Sequence, residues 1–185
     1  MRDPLRDQVG IVTRTVVELR VSDAFEQELR TMPYEEIFQR VAEKYGLDWR
    51  LMMEQCFRES RFDPLAVGAA SDMGLMQIIP STWDEWAPKV GVYDPFDPES
   101  NITVAGAYLA WIKEQLARVG RHEPYWMLAA YNWGVGNVLR LLKENGRWSD
   151  VPEIRRNYAT GIILAAEANI IAEQIAPDKP RVHGA

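Results

Sequence analysis

Two short stretches carry the reading of this chain: Cys56-Phe57-Arg58-Glu59-Ser60 and, fourteen residues after Glu59, Met73-Gly74-Leu75-Met76-Gln77-Ile78-Ile79-Pro80. Wound as a helix at about 100° per residue, residues 49–61 put Met52, Gln55, Cys56 and Glu59 on one face. Arg50, Glu54, Arg58 and Arg61 fall on the opposite face. Glu59 therefore points the wrong way for a surface charge. Desolvation disfavours an ionised carboxyl among apolar neighbours, so such a glutamate holds a proton near neutral pH, as a general acid must. The plainer alternative is a helix-end glutamate paired with Arg58 or Arg61, and what surrounds the stretch decides between them.

Working outward, Asp48 is placed to cap this helix, which should stop before Asp63-Pro64. Residues 62–74 are rich in Gly, Ala, Ser and Asp and predict a loop or short hairpin laid against the glutamate. On the N-terminal side, Thr31-Met32-Pro33 reads as a helix start. Tyr34, Ile37, Phe38, Val41, Ala42 and Tyr45 then form an i, i+3, i+4, i+7 stripe that Gly46 closes. Residues 1–30 form an extension in which strand and helix signals compete, read here as helical and outside the catalytic unit of residues 31–176. On the C-terminal side, Ser81 or Thr82 is expected to cap a short helix through Trp86, and Asp94-Pro95-Phe96-Asp97-Pro98 to connect rigidly. Asp97 and Pro98 open the strongest helix, with Ile102, Ala105, Leu109, Ile112, Leu116 and Val119 inward and Gly120 at its end. A helix follows from Pro124 to Asn132, then a turn at Trp133-Gly134-Val135-Gly136 and a helix to Asn145-Gly146. A last helix from near Pro152 turns Ile154, Tyr158, Ile162, Ala165 and Ala172 inward; Pro177 ends it before a polar tail over 177–185. Helix after helix predicts an all-α globular domain.

Composition removes several function classes. The chain has 185 residues, 47% hydrophobic and 26% charged, which fits one globular domain. Its 21 Lys plus Arg against 27 Asp plus Glu give a net charge of −6 and argue against nucleic acid or anionic membrane as partner. The single cysteine, Cys56, permits no internal disulfide and reads as a small buried hydrophobe. With only His122 and His183, a two-histidine zinc site or a Ser-His-Asp triad has little material, which disfavours metal-dependent and nucleophilic-serine hydrolases. No 18-residue apolar run argues for membrane insertion, and the Met1–Asp7 segment lacks the apolar core of a signal peptide. Read on its own the chain is not self-exporting, so a trimmed leader, lysis, or delivery within a phage or cell-envelope assembly would have to bring it to any substrate outside the cytoplasm.

The order Glu59-Ser60, Gly74-Leu75-Met76-Gln77, Pro80, Asn101-Ile102, then Ala130-Tyr131-Asn132-Trp133-Gly134 with Gly136, resembles the soluble lytic transglycosylase domain, related to goose-type lysozymes. Pro152-Glu153 and Tyr158 are similar to the closing segment of that family, and the match spans about residues 35–160. The resemblance implies a lysozyme-like helical fold with a small loop or hairpin beside a groove. It also implies cleavage of the β-1,4 bond between N-acetylmuramic acid and N-acetylglucosamine in peptidoglycan glycan strands, with ring closure to a 1,6-anhydro product and with no metal or cofactor. By the same resemblance Glu59 is the catalytic acid and base and Tyr131 a catalytic partner. Substrate contacts would come from Ser60, Ser71, Gly74, Leu75, Met76 and Gln77 on one side and from Asn132 and Trp133 opposite.

The side chains suit that chemistry. One carboxyl with a raised pKa can protonate the leaving oxygen of a glycosidic bond. Tyr131 can donate to that carboxyl or to an N-acetyl group, Gln77 can bond acetamido groups, and Met76 offers an adaptable apolar wall; core positions are the plain alternatives for Met76 and Tyr131. Trp83, Trp86 and Trp133 stand near the motifs with flat faces that suit sugar rings. The chain departs from the family where Gly68, Ser71 and Asp72 occupy the loop before Gly74, and where Trp133 replaces a smaller residue. Asp72 leaves open a goose-type lysozyme that hydrolyses the same bond with Asp72 assisting water. A third reading is a non-catalytic glycan-binding or structural module of a phage or secretion assembly.

Overall fold

A computed structural model of the chain describes residues 34–175. The expectations for residues 1–30, for a helix start at Thr31-Met32-Pro33, for Pro177 and for the tail lie outside the described residues. Seven α-helices follow in order among them: α1 (Glu35–Tyr45), α2 (Trp49–Ser60), α3 (Pro80–Val90), α4 (Pro98–Ala117), α5 (Pro124–Trp133), α6 (Val135–Lys143) and α7 (Glu153–Ile175), with a 3-10 turn at Trp148–Asp150. The expected all-α domain is what the described residues form. No regular strand interrupts the helices among the described residues. The hairpin expected at 62–74 is present as two isolated antiparallel bridges, Val67 with Met73 and Met73 with Ile78.

Helix ends follow local chemistry at several points. Asp48 Oδ1 accepts from the Arg50 N–H at 2.8 Å and caps α2. Asp97 accepts from the Ser100 N–H at 2.9 Å and caps α4, with Pro98 in the first turn where its missing N–H is harmless. Gly46 ends α1 with φ 63°. α4 is the central helix: Ile102, Ala105, Leu109, Ile112 and Leu116 are buried, and it packs against α1, α3 and α5. α2 lies between α1 and α7, which is why Met53 joins Met52, Gln55 and Cys56 in its buried set.

Four expectations are corrected. α3 starts at Pro80, with Ile79 as a cap that has no side-chain bond, rather than at Ser81 or Thr82, and continues past Trp86 to Val90 with Pro88 inside it. α4 stops at Ala117, leaving Val119 47% exposed and Gly120 outside. The four-residue turn at 133–136 contracts to Gly134 alone, and α6 ends at Lys143. On α7 the buried residues are Tyr158, Ala159, Ile162 and Ala166, while Ile154 is 71% exposed. Tyr158 and Ile162 are thus inward as expected, while Ile154 stands in the exposed first turn and the buried face takes Ala159 and Ala166 in place of the half-buried Ala165 and Ala172.

Candidate active site

Glu59 sits in the last turn of α2, half-buried, where α7 crosses the helix. Its Oε1 accepts a hydrogen bond from the Tyr158 hydroxyl at 2.5 Å, joining residues 99 positions apart. Burial pushes the Glu59 carboxyl up to about 7, with a further upward contribution from the negative charge of Asp72. The Tyr158 bond and the positive charge of Arg58 pull the other way. A carboxyl poised there can release a proton and take one back near neutral pH, which one group needs if it is to act first as acid and then as base. Burial and the Glu59 charge hold the Tyr158 phenol well above its ordinary range, so it stays protonated and serves as a donor.

The hairpin beside this acid is braced by polar residues. Ser60 Oγ donates to the Leu75 carbonyl at 2.8 Å, and the same oxygen accepts from Cys56 Sγ at 3.4 Å. Asn101, fully buried on α4, accepts from the Met76 N–H at 2.8 Å and donates to Met73 O at 3.0 Å and Pro95 O at 2.8 Å. Gln77 Nε2 donates to Gly74 O at 2.9 Å and Ala66 O at 3.1 Å. Gly74 has φ 70°, and a β-carbon there would meet Pro95 O at 2.5 Å and Asn101 Nδ2 at 2.6 Å, so only glycine fits the clasp. At Gly68 a β-carbon would collide with the Asp72 carboxylate and lie 2.7 Å from Gln77 Oε1. The missing side chain lets those two groups converge.

Several site expectations change accordingly. The Tyr131 hydroxyl donates to Met76 O at 2.8 Å rather than to Glu59, tying α5 to the hairpin. Its phenol is still held well above the ordinary range, by burial first and then by the Glu59 charge, so it belongs to the wall around the acid. Leu75 and Met76 are fully buried and offer no side-chain surface to a substrate. Asn132 Oδ1 accepts from Arg155 Nη1 at 2.7 Å, linking α5 to α7. Ser71 is exposed at the hairpin tip with φ 62°. Trp133 is half-buried and packs on the second hydrophobic cluster, and Trp83 is 7% exposed and belongs to the core. Beside Tyr131 runs a half-buried aromatic row: the Tyr108 ring is 5.7 Å from it and 5.8 Å from both Trp86 and Trp111.

The family model described as "Transglycosylase SLT domain" matches residues 36–152. The chain belongs to that family. Among curated relatives, it is 34% identical over 136 residues to the membrane-bound lytic murein transglycosylase F of Maricaulis maris, covering 69% of this chain and 29% of that protein. It is 32% identical over 142 residues to the membrane-bound lytic murein transglycosylase C of Haemophilus influenzae, covering 71% of this chain and 39% of the other. The chain thus spans less than two fifths of the length of these relatives. In fold it is similar to the 70 kDa soluble lytic transglycosylase of Escherichia coli, with TM-score 0.67 at 23% identity over 89% of this chain and 28% of that one. A structure of that type of enzyme in complex with bulgecin A superposes with TM-score 0.68 at 22% identity, over 91% of this chain and 29% of that one.

Within this SLT domain, two residues carry more than their sequence signals suggest. Tyr158 reads as an inward position of the last helix, yet it is the direct partner of Glu59. Asn101 reads as part of a motif without a task, yet it satisfies three main-chain groups of the hairpin. A buried tyrosine on the helix facing the acid was a usable signal for the first. For the second, a lone asparagine among Ile102, Val104 and Ala105 is a polar group that must find partners in the core.

Proposed function

We propose that this chain is the glycan-cleaving domain of a peptidoglycan lytic transglycosylase. The observation that carries the reading is Glu59: a single half-buried carboxyl raised to about 7, held by Tyr158, at the position the family resemblance gives to the acid. In the proposed reaction Glu59 protonates the bridging oxygen as the bond from muramic acid C1 breaks. The substrate's N-acetyl oxygen holds C1 in the interval. Glu59, now a carboxylate, takes the proton of the 6-hydroxyl, whose oxygen closes on C1 to give a 1,6-anhydro ring. One C–O bond breaks, one forms, no water is consumed, and no metal or cofactor takes part. Gln77 contributes by holding the hairpin in shape, and Asn132 and Trp133 by fixing the end of α5. Residues 1–30 lie outside this unit, which acts on the wall in the periplasm or outside the cell, within an envelope or phage-type assembly. Among the described residues, no helix is long and apolar enough to cross a membrane.

A second reading has one observation in its favour. Asp72 is close enough for its charge to raise the Glu59 pKa, so a second carboxylate stands within electrostatic reach and could place a water. Mass spectrometry of purified peptidoglycan digested by the protein separates the two. The expected products end in 1,6-anhydromuramic acid, lighter by one water than the reducing-end sugar. Digests dominated by reducing ends overturn the transglycosylase reading in favour of hydrolysis, and the absence of any cleavage overturns both.

A further inference from the structure

We infer that Gln55 is a positioning residue for the acid: its amide donates to the Tyr158 phenol oxygen and commits that tyrosine's only proton to Glu59. This rests on the reading of Glu59 as the acid. Gln55 lies one turn before Glu59 on the same face of α2 and is 0% exposed. A buried amide left without hydrogen bonds is destabilising, and native interiors hold few of them. Yet neither Nε2 nor Oε1 of Gln55 has a partner at ordinary hydrogen-bond geometry. An aliphatic side chain of similar length would serve the packing between α2 and α7 as well or better. The amide therefore calls for a reason outside the fold.

The group it meets supplies one. Gln55 stands close enough to the Tyr158 hydroxyl to lower a pKa that burial and Glu59 raise, though outside ordinary hydrogen-bond geometry, so the inferred bond forms as the amide turns toward that oxygen. A phenol has one proton and accepting lone pairs, and the proton of Tyr158 goes to Glu59 Oε1 at 2.5 Å. Gln55 can then meet that oxygen only with Nε2–H. Turned the other way, its Oε1 would compete with Glu59 for the same proton. The donors run in one direction, Gln55 to Tyr158 to Glu59, and each bond in such a chain polarises the next. Two consequences follow for the acid. Oε1 stays occupied, which leaves the transferable proton to Oε2. The Tyr158 bond also opposes the burial that raises Glu59, so the carboxyl stays near neutrality. The other groups acting on Glu59 are Asp72 from the hairpin and Arg58 from α2; Tyr131 from α5 and Cys56 from α2 complete its titratable surroundings.

The test is Gln55→Met in the full chain, alone and combined with Tyr158→Phe. Alone, it should lower kcat on peptidoglycan about three- to ten-fold, the scale of one hydrogen bond, with KM unmoved. The alkaline limb of the kcat profile should move to higher pH, and melting temperature should hold or rise. Carbon-13 NMR titration of the Glu59 carboxyl in the resting protein should give the same upward shift without any turnover. On the Tyr158→Phe background Gln55→Met should change neither quantity further. An unchanged Glu59 titration, or an equal effect on both backgrounds, overturns the proposal. Should Gln55→Met fail to fold, Gln55→Leu is read in the same way. A Glu59→Gln variant that keeps full activity would sink the identity of the acid instead, while the NMR titration would still judge the Gln55 link.

Discussion

At the end of α2 the hairpin clasp and the acid pair lie side by side, and their hydrogen bonds are organised in opposite ways. Ser60, Gln77, Asn101 and Tyr131 all bond main-chain groups of residues 66–95, so their polar atoms serve shape. Glu59 has one bond, from Tyr158, in a site buried enough to push its carboxyl up to about 7. Closed valences make a rigid wall. An acceptor left under-satisfied beside that wall remains free to exchange a proton. Residues of the same motif, even Glu59 and Ser60 as chain neighbours, thus divide between architecture and chemistry according to what their side chains reach.

The largest test of that division is Glu59→Gln. Peptidoglycan cleavage should fall by at least ~10²-fold, because the shape remains and the transferable proton is gone. Stability should change in the other direction. The folded pKa, about 7, lies above the 4.5 of the unfolded chain, so the folded state binds more protons between those values and loses stability as pH rises through them. Gln removes that loss, so the variant should gain up to about 3 kcal/mol at pH 8 and nearly nothing at pH 4. Thermal unfolding at the two pH values checks it, and a gain independent of pH would contradict the raised pKa.

Asn101→Leu probes the wall. Leaving Met73 O, Pro95 O and the Met76 N–H without their partner should cost about 3 kcal/mol in urea unfolding. The alkaline limb of activity should stay in place under conditions where the variant is folded. A limb that moves together with stability would merge the two regions that the hydrogen bonds keep apart.

The smallest effect is expected from Asp72→Asn. Removing a charge that raises Glu59 should move the alkaline limb to lower pH, by less than Tyr158→Phe moves it upward, since the Tyr158 bond is the stronger influence. The share of anhydro products should not change. A fall in reducing-end products in this variant would give Asp72 the water-placing role.

Features set by neighbours in the chain were legible from the sequence: the Phe38, Val41, Ala42 stripe, the Asp48 and Asp97 caps, and the glycine end of α1. So was the inward turn of Glu59, because helical periodicity needs only local spacing. What failed was partner choice across distance. The Tyr131 hydroxyl had the acid or the substrate as its expected target, but a main-chain carbonyl 55 residues away takes it, and main-chain acceptors leave no mark in a sequence. Met76 was expected in a groove on the family resemblance, whereas its side chain is fully buried in the core and its N–H and C=O bond Asn101 and Tyr131. The start of α3 was misplaced because Ser81 and Thr82 are good caps, and Pro80, with its fixed φ, begins the helix before either can act.

The bond from Cys56 to Leu75 O has a consequence for the redox life of the domain. Burial pushes that thiol up to about 12, so near neutral pH it stays protonated and the thiolate that oxidants and alkylating agents attack is scarce. The sole cysteine is chemically silent while the hairpin stays seated on α2. The carbonyl that takes its hydrogen bond also holds Ser60, the chain neighbour of Glu59, so the shielding of the thiol and the seating of the hairpin rest on one oxygen.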